Sequence, residues 1–118
     1  MRLYQVDGAT KIIALIGDSI TTAQIPTRLN KMLAEQSKLG EYLIIPWHVS
    51  AAGLADTLQA LRSMQNFIGA IVNATHKTQV LQHLDDVAPD AESIQVVNVL
   101  TRCVDGELAG WHYDGAGF

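Results

Sequence analysis

Apolar residues in the first half of this chain recur at two alternating spacings. A continuous, mostly β-branched run at 12–16, closed by Gly17, predicts a strand that is buried on both faces. The apolar positions that follow share one face of a helix, and they are Ile25, Leu29, Met32 and Leu33. A second strand is predicted at 42–49, where the internal Pro46 favours a sheet edge or a bulge. The first half is therefore predicted to be a strand–helix–strand unit.

The same alternation continues in the second half. The further elements are a helix with Leu54, Leu58 and Leu61 on one face, a strand at 68–72, a helix at 78–84 and strands at 96–102 and 108–112. Asp85 and Asp86 are expected at a solvated helix end, and Asp105-Gly106 favours a type I′ hairpin between the last two strands. Because strands separated by helices usually pair in parallel, we predict an α/β fold. It has a mixed, mostly parallel open sheet flanked by helices, with a C-terminal β-hairpin.

Composition favours one globular domain spanning residues 1–118. With 48% apolar and 17% charged residues, the chain has enough apolar side chains for a core. A net charge of −4 without a basic stripe predicts no nucleic-acid or anionic-membrane surface. The longest uncharged runs have fourteen residues, whereas a membrane-spanning helix needs about 20. Asp7 and Lys11 do not fit a secretory signal, and Cys103 has no second cysteine for a disulfide. A cytoplasmic protein is the expectation.

Polar residues are expected together at one edge of the predicted sheet. In open α/β sheets, ligands bind beyond the carboxyl ends of the strands. Three polar loops fall there: 17–25, 73–77 and the turn after His112. His76 and His83 would lie about 10 Å apart on one helix, too far to share a metal ion, and no other cluster supplies three ligands. We therefore expect a ligand site without a metal.

Three stretches of the chain carry recognisable motifs. They are IALIGDSITTAQIPTRLN, IVNATHK and VVNVLTRCVDGELAGWHYDGAGF. These resemble, in order and spacing, the forms GxPxxHSLSPxxHN, NVTxPHK and AVNTVxxxxGxLxGxNTDGxGF of the shikimate dehydrogenase family. The resemblance covers residues 10–118 and points to the family's N-terminal, substrate-binding domain.

The resemblance implies a chemistry and a set of site residues. In the family, a ring secondary alcohol of shikimate- or quinate-like compounds is oxidised reversibly, with hydride passing to NADP (or NAD), in aromatic amino acid biosynthesis. The matching Lys77 and Asp114 would form the catalytic dyad, in which the lysine exchanges the hydroxyl proton and the aspartate holds and tunes it. Asn98 would bind a ring hydroxyl, and Asn73 stands where the family usually has a substrate-binding threonine. For Asn98, a strand asparagine satisfied by loop backbone is the alternative.

Several positions depart from the family's pattern. Ala23 and Ile25 stand where two serines would grip the substrate carboxylate. Each missing charge-assisted hydrogen bond is worth roughly 1.5–3 kcal/mol, so tight shikimate binding is in doubt. Thr22 and Gln24 can supply replacement donors, although such loops are generally rich in hydroxyl residues. Trp111 is expected to pack in the core of the hairpin.

The family's nucleotide-binding domain has no counterpart in these residues. Gly115 and Gly117 form only a G-x-G after a hairpin, which is a weak phosphate loop. We therefore expect neither cofactor binding nor turnover by this chain alone, and NADP (or NAD) only in a two-domain parent. The partners implied are a small hydroxylated cyclic carboxylate or analogue and the nucleotide-binding domain. An uncovered cleft face can also favour self-association. The alternative function is a ligand-binding or regulatory module that kept the fold and lost the reaction.

Overall fold

The computed structural model describes residues 5–73 and 76–113. Its strands are β1 (Lys11–Gly17), β2 (Tyr42–His48), β3 (Phe67–Val72), β4 (Asp86–Val87), β5 (Val99–Arg102) and β6 (Leu108–Trp111). Its helices are α1 (Ile25–Glu35), α2 (Leu54–Leu61), α3 (His76–Gln79) and α4 (Pro89–Ile94), with 3-10 turns at Ala51–Gly53 and Val80–His83. Within the described residues the strands form one sheet in the order β2-β1-β3-β5-β6-β4.

Strand directions in this sheet match the predicted mixture. β1 pairs in parallel with β2 and with β3, and β4 pairs in parallel with β6. β5 lies antiparallel between β3 and β6. The predicted α/β fold, with a mostly parallel sheet and a C-terminal hairpin, is confirmed.

The core follows from the central position of β1. Its residues Ala14, Leu15 and Ile16 are fully buried, as the uninterrupted apolar run predicts. Because β2 and β3 lie on opposite sides of β1, right-handed crossovers place α1 and α2 on opposite faces of the sheet. The predicted leucine face of α2 is confirmed, since Leu54, Leu58 and Leu61 are each 1% exposed.

Strand β2 lies at one edge of the sheet, as Pro46 suggested. Helix α1 packs beside this edge, and the Asn30 side chain bonds both backbone groups of Ile44. Its Nδ2 donates to the Ile44 carbonyl and its Oδ1 accepts from the Ile44 amide, at 3.0 Å each. The carboxamide therefore takes the place of a neighbouring strand at the free edge. The apolar face predicted for α1 is only half-buried, and Met32 is exposed.

The hairpin between β5 and β6 differs from the predicted type I′ turn. Arg102 pairs with Leu108, and the amide of Gly106 donates to the carbonyl of Cys103 at 2.9 Å. Gly106 has φ +90°, whereas Asp105 is not among the residues with positive φ. A type I′ turn needs positive φ at both central residues. The loop is instead a tight turn closed by one left-handed glycine.

The segment between α3 and β5 contains elements that the periodicity did not predict. The helix expected at 78–84 is present as α3 and a 3-10 turn, but β4 and α4 are too short to show a period. Asp85 follows the 3-10 turn and its C-cap Leu84 and is exposed, as expected, but its side chain also has protein partners. Its carboxylate accepts from the Leu108 amide at 2.8 Å and pairs with the Arg62 guanidinium. The Leu108 hydrogen bond, followed by that from Arg62, lowers the pKa of Asp85 below its usual 3.8.

Candidate functional site

Main-chain hydrogen bonds join several loops at the carboxyl edge of the parallel strands. The amide of Val49, just after β2, donates to the carbonyl of Gly17 at the end of β1, at 2.9 Å. The amide of Asn73, just after β3, donates to Ile16 at 2.8 Å. The residue before β5, Asn98, accepts from Val72 at 2.8 Å. The sheet thus brings the starts of the predicted loops at 17–25 and 73–77 to one edge, as the topology requires. The predicted turn after His112 lies mostly outside the described residues.

Lys77 lies in the first turn of α3 at this edge. Its side chain is half-buried, and its carbonyl accepts from the Val97 amide at 2.9 Å. Because Val97 precedes Asn98, this bond fixes the main chain of the lysine next to the predicted asparagine. The second member of the predicted dyad, Asp114, lies outside the described residues, so the dyad stays a prediction.

His76 also makes a contact at this edge of the sheet, although the sequence did not indicate a functional role for it. The ring is fully buried, and Nε2 lies 2.5 Å from the carbonyl oxygen of Val49. A carbonyl only accepts, so Nε2 donates in this bond. Nδ1 has no partner among residues 5–73 and 76–113. The side chain anchors the start of α3 to the segment after β2, and only its position before Lys77 hinted at this role.

Asn98 uses its side chain on the backbone of Tyr113. Its Nδ2 donates to the Tyr113 carbonyl at 2.5 Å, and its Oδ1 accepts from the Tyr113 amide at 2.9 Å. The Asn98 amide also donates to Trp111 at 3.0 Å. The alternative in which loop backbone satisfies this asparagine is therefore realised, and these two bonds use one of its two amide hydrogens and one lone pair of its side-chain oxygen.

The other predicted ligand contacts are spread along two loops. Asn73 is half-buried, and Gly17 allows it to approach, since a Cβ at Gly17 would lie 3.2 Å from the Asn73 Cβ. Thr22 and Gln24 are exposed on the loop before α1, where Gln24 Nε2 donates to the Thr22 carbonyl at 3.4 Å. Gln24 is the N-cap residue of α1 and makes no side-chain capping bond. The structure shows neither side chain bonded to Lys77 or Asn98.

Trp111 does not pack in the core as expected. It is 38% exposed, its ring stacks on Tyr113 at 6.5 Å between centroids, and its Nε1 donates to the Thr101 hydroxyl at 2.9 Å. Leu108 and Gly110 point to the buried face of β6, so Trp111 lies on the opposite, open face. Alternation along the strand explains the difference.

The part of the chain that the structure describes contains neither a group of metal ligands nor a membrane-spanning helix. No three His, Cys, Asp or Glu side chains there could hold a metal ion. The helices within the same ranges are too short or too polar to span a bilayer. A cleft of about 620 Å³ lined by Gln79, Gln82 and Glu92, among others, includes none of the predicted site residues.

The chain is similar in sequence to proteins of known family. The sequence profile of the shikimate dehydrogenase substrate binding domain matches residues 15–100. This chain belongs to that family. A shikimate dehydrogenase (NADP(+)) of Listeria monocytogenes is 34% identical over 97% of the chain and 38% of its own length. Another, from Lysinibacillus sphaericus, is 33% identical over 92% of the chain and 38% of its own length. The chain thus spans about 38% of the curated relatives that it matches.

Solved structures give the same family. Shikimate 5-dehydrogenase from Listeria monocytogenes, in complex with shikimate and NAD, superimposes with a TM-score of 0.88 at 31% identity. That match covers 98% of this chain and 39% of the other. Ligand-free 5-ketofructose reductase of Gluconobacter sp. superimposes with a TM-score of 0.82 at 27% identity, covering 95% and 39%. The shikimate dehydrogenase substrate-binding fold is therefore shown for this chain.

Proposed function

We propose that this chain is the substrate-binding part of an NADP- or NAD-dependent oxidoreductase that interconverts a ring secondary alcohol and its ketone. The bond between the Lys77 carbonyl and the Val97 amide supports the proposal, because it holds the main chain of Lys77 close to Val97, the residue before Asn98. The relatives named above supply the reaction class and both cofactors. The nucleotide-binding domain is the implied partner, and no described residue is assigned to the cofactor.

Lys77 is the proposed proton acceptor. Oxidation of an alcohol removes a proton from oxygen and a hydride, with its electron pair, from carbon. The Lys77 amine would take the proton, and a bound nicotinamide cofactor would supply the acceptor for the hydride, so that the alcohol becomes a ketone. The proton then passes to solvent, and reduction runs the same steps backwards. Asp114 is proposed to orient the amine and to accept its hydrogen bonds.

The proposed ligand contacts are Asn73, Thr22, Gln24 and the remaining hydrogen-bonding capacity of Asn98. Amide and hydroxyl groups suit ring hydroxyls, which both donate and accept. A carboxylate has weaker provision, because the half-buried Ala23 and Ile25 have no hydroxyl to donate. The 5-ketofructose reductase relative is named for a substrate without a carboxylate. A less charged analogue of shikimate is therefore a substrate class to test beside shikimate and quinate.

The decisive test is the turnover of the two-domain protein with Lys77→Ala. Loss of the acid–base group should lower kcat about 100-fold or more. An amide NMR titration with shikimate, quinate and a neutral ring polyol should still saturate, because the ligand contacts are unchanged. Turnover within twofold of wild type would contradict the assignment of Lys77.

A non-catalytic module is the second candidate, favoured by the absence of hydroxyls at Ala23 and Ile25. It predicts saturable ligand binding without any cofactor-linked turnover in the two-domain protein. Robust turnover by the wild type would exclude it.

A further inference from the structure

Asn98 sits at a junction of three chain segments. Its carbonyl accepts from Val72 at the end of β3, and its amide donates to Trp111 at the end of β6. Its carboxamide then reaches past the end of the ladder to Tyr113. Because one side chain satisfies both the amide and the carbonyl of Tyr113, the carboxamide acts like one more peptide group of β5.

This arrangement limits how the main chain of Tyr113 can be oriented. Two hydrogen bonds to one residue fix its position and its orientation, whereas a single bond leaves rotation about the bond axis. Trp111 adds a stack on the Tyr113 ring, with planes inclined by 18°. The residue that follows Tyr113 in the sequence is Asp114, the proposed partner of Lys77.

From these contacts we infer that Asn98 is a positioning residue for Asp114, acting through the main chain of Tyr113. This inference rests on the proposed function, since it assumes that Asp114 orients Lys77 for proton transfer. It differs from a ligand contact in what it controls. We call two hydrogen bonds from one side chain to the backbone of one residue a clamp. A clamp sets how well the dyad is arranged in the transition state, whereas a ligand contact sets how tightly the ground state binds.

The chain contains a matched control for this clamp. Asn30 makes the same two bonds to the backbone of one residue, Ile44, on the outer edge of β2. Asn30→Ala therefore removes the same chemical group and the same number of bonds away from the site. Any general consequence of losing such a clamp appears in both variants, and an effect through Asp114 appears only in Asn98→Ala.

The test measures kcat and KM of the two-domain protein for the ring alcohol. We expect Asn98→Ala to lower kcat about 10- to 100-fold, which is a larger change than any rise in KM from the lost ligand contact. Asn30→Ala should keep kcat within about twofold at temperatures where it is folded. A raised KM with unchanged kcat would overturn the inference and make Asn98 a ligand contact only. Equal losses of kcat in both variants would also overturn it.

Two further results separate the inference from the proposed function. If wild type shows no cofactor-linked turnover, the proposed function fails; if wild type turns over and Asn98→Ala matches it, only the inference fails. Hydrogen exchange of the Tyr113 amide provides a readout that needs no variant to fold. Protection of this amide in the wild-type two-domain protein supports the clamp, and exchange at the rate of an unbonded amide overturns it.

Discussion

The two asparagine clamps use the same bonds for different purposes. Asn30 holds Ile44, which is 5% exposed, and joins a helix to the edge strand that it covers. Asn98 holds Tyr113, which is 47% exposed, and joins the start of β5 to the segment after β6. Water can replace a lost partner at the exposed residue more readily than at the buried one. The consequence of a clamp therefore depends on its surroundings rather than on its hydrogen bonds.

Loss of stability should separate the clamps most clearly. In Asn30→Ala, the amide and carbonyl of buried Ile44 both lose a partner, so we expect the free energy of unfolding to fall by about 2 kcal/mol. In Asn98→Ala, the expected loss is about 1 kcal/mol, because Tyr113 is more accessible to water. Urea unfolding of this chain measures both.

A control tests whether the effect belongs to the clamp rather than to helix α1. Lys31 is exposed on the same helix, and Lys31→Ala should change the free energy of unfolding by less than about 0.5 kcal/mol. If Asn98→Ala proves more destabilising than Asn30→Ala, burial does not decide the outcome and the comparison breaks. Asn30→Ala should also associate at high concentration, since it leaves a strand edge unpaired.

The substitution Gly17→Ala tests whether close packing at Gly17 also positions Asn73. A Cβ at Gly17 would collide with the Ile20 side chain and lie 3.2 Å from the Asn73 Cβ. We expect Gly17→Ala to lower the free energy of unfolding by about 1–2 kcal/mol, since crowded sites tolerate added atoms poorly. NMR should show its largest amide shifts at Asn73 and in the loop before α1.

A second glycine serves as the control for Gly17. A Cβ at Gly8 would have no heavy atom within 4 Å. Gly8→Ala should therefore be neutral or stabilising, by up to about 1 kcal/mol, through the entropy of the unfolded chain. Equal destabilisation by both substitutions would show that backbone freedom, and not contact with Asn73, explains the requirement for glycine.

The sequence predicted those parts of the fold that depend on runs of similar side chains. The buried run of β1 and the leucine face of α2 both came from periodicity, and Pro46 correctly indicated an edge strand. The same method missed β4, which has two residues, and α4, which ends in a left-handed Gln95 with φ 58° instead of a glycine. The hairpin type was wrong because strand register, and not the Asp-Gly pair alone, sets the loop length.

The site was predicted less completely for a related physical reason. The resemblance to the family's motifs indicated Lys77, Asn73 and Asn98, and the topology brought their main chains to one edge. The partners of Asn98 and of the buried His76 are main-chain groups, and every residue has those. No residue type marks Tyr113 or Val49 as the partner, so only the folded chain identifies them.

The smallest expected effect on stability concerns Asp85, a charged residue that also holds two groups, and this effect depends on pH. Asp85 accepts from the Leu108 amide and from Arg62, and these bonds lower its pKa in the folded state. Because the pKa of Asp85 is lower in the folded state than in the unfolded state, the ionised carboxylate stabilises the fold at pH values above 3.8. This stabilisation is lost as the pH falls through the pKa of the folded state. Wild type should therefore lose more stability than Asp85→Asn when urea unfolding is repeated from neutral pH to pH values below 3.8. Arg62→Gln should fall between them, because the Leu108 bond, which is the larger cause, remains. An unchanged pH dependence in Asp85→Asn would contradict this, whereas the neutral clamps of Asn30 and Asn98 should show none of their own.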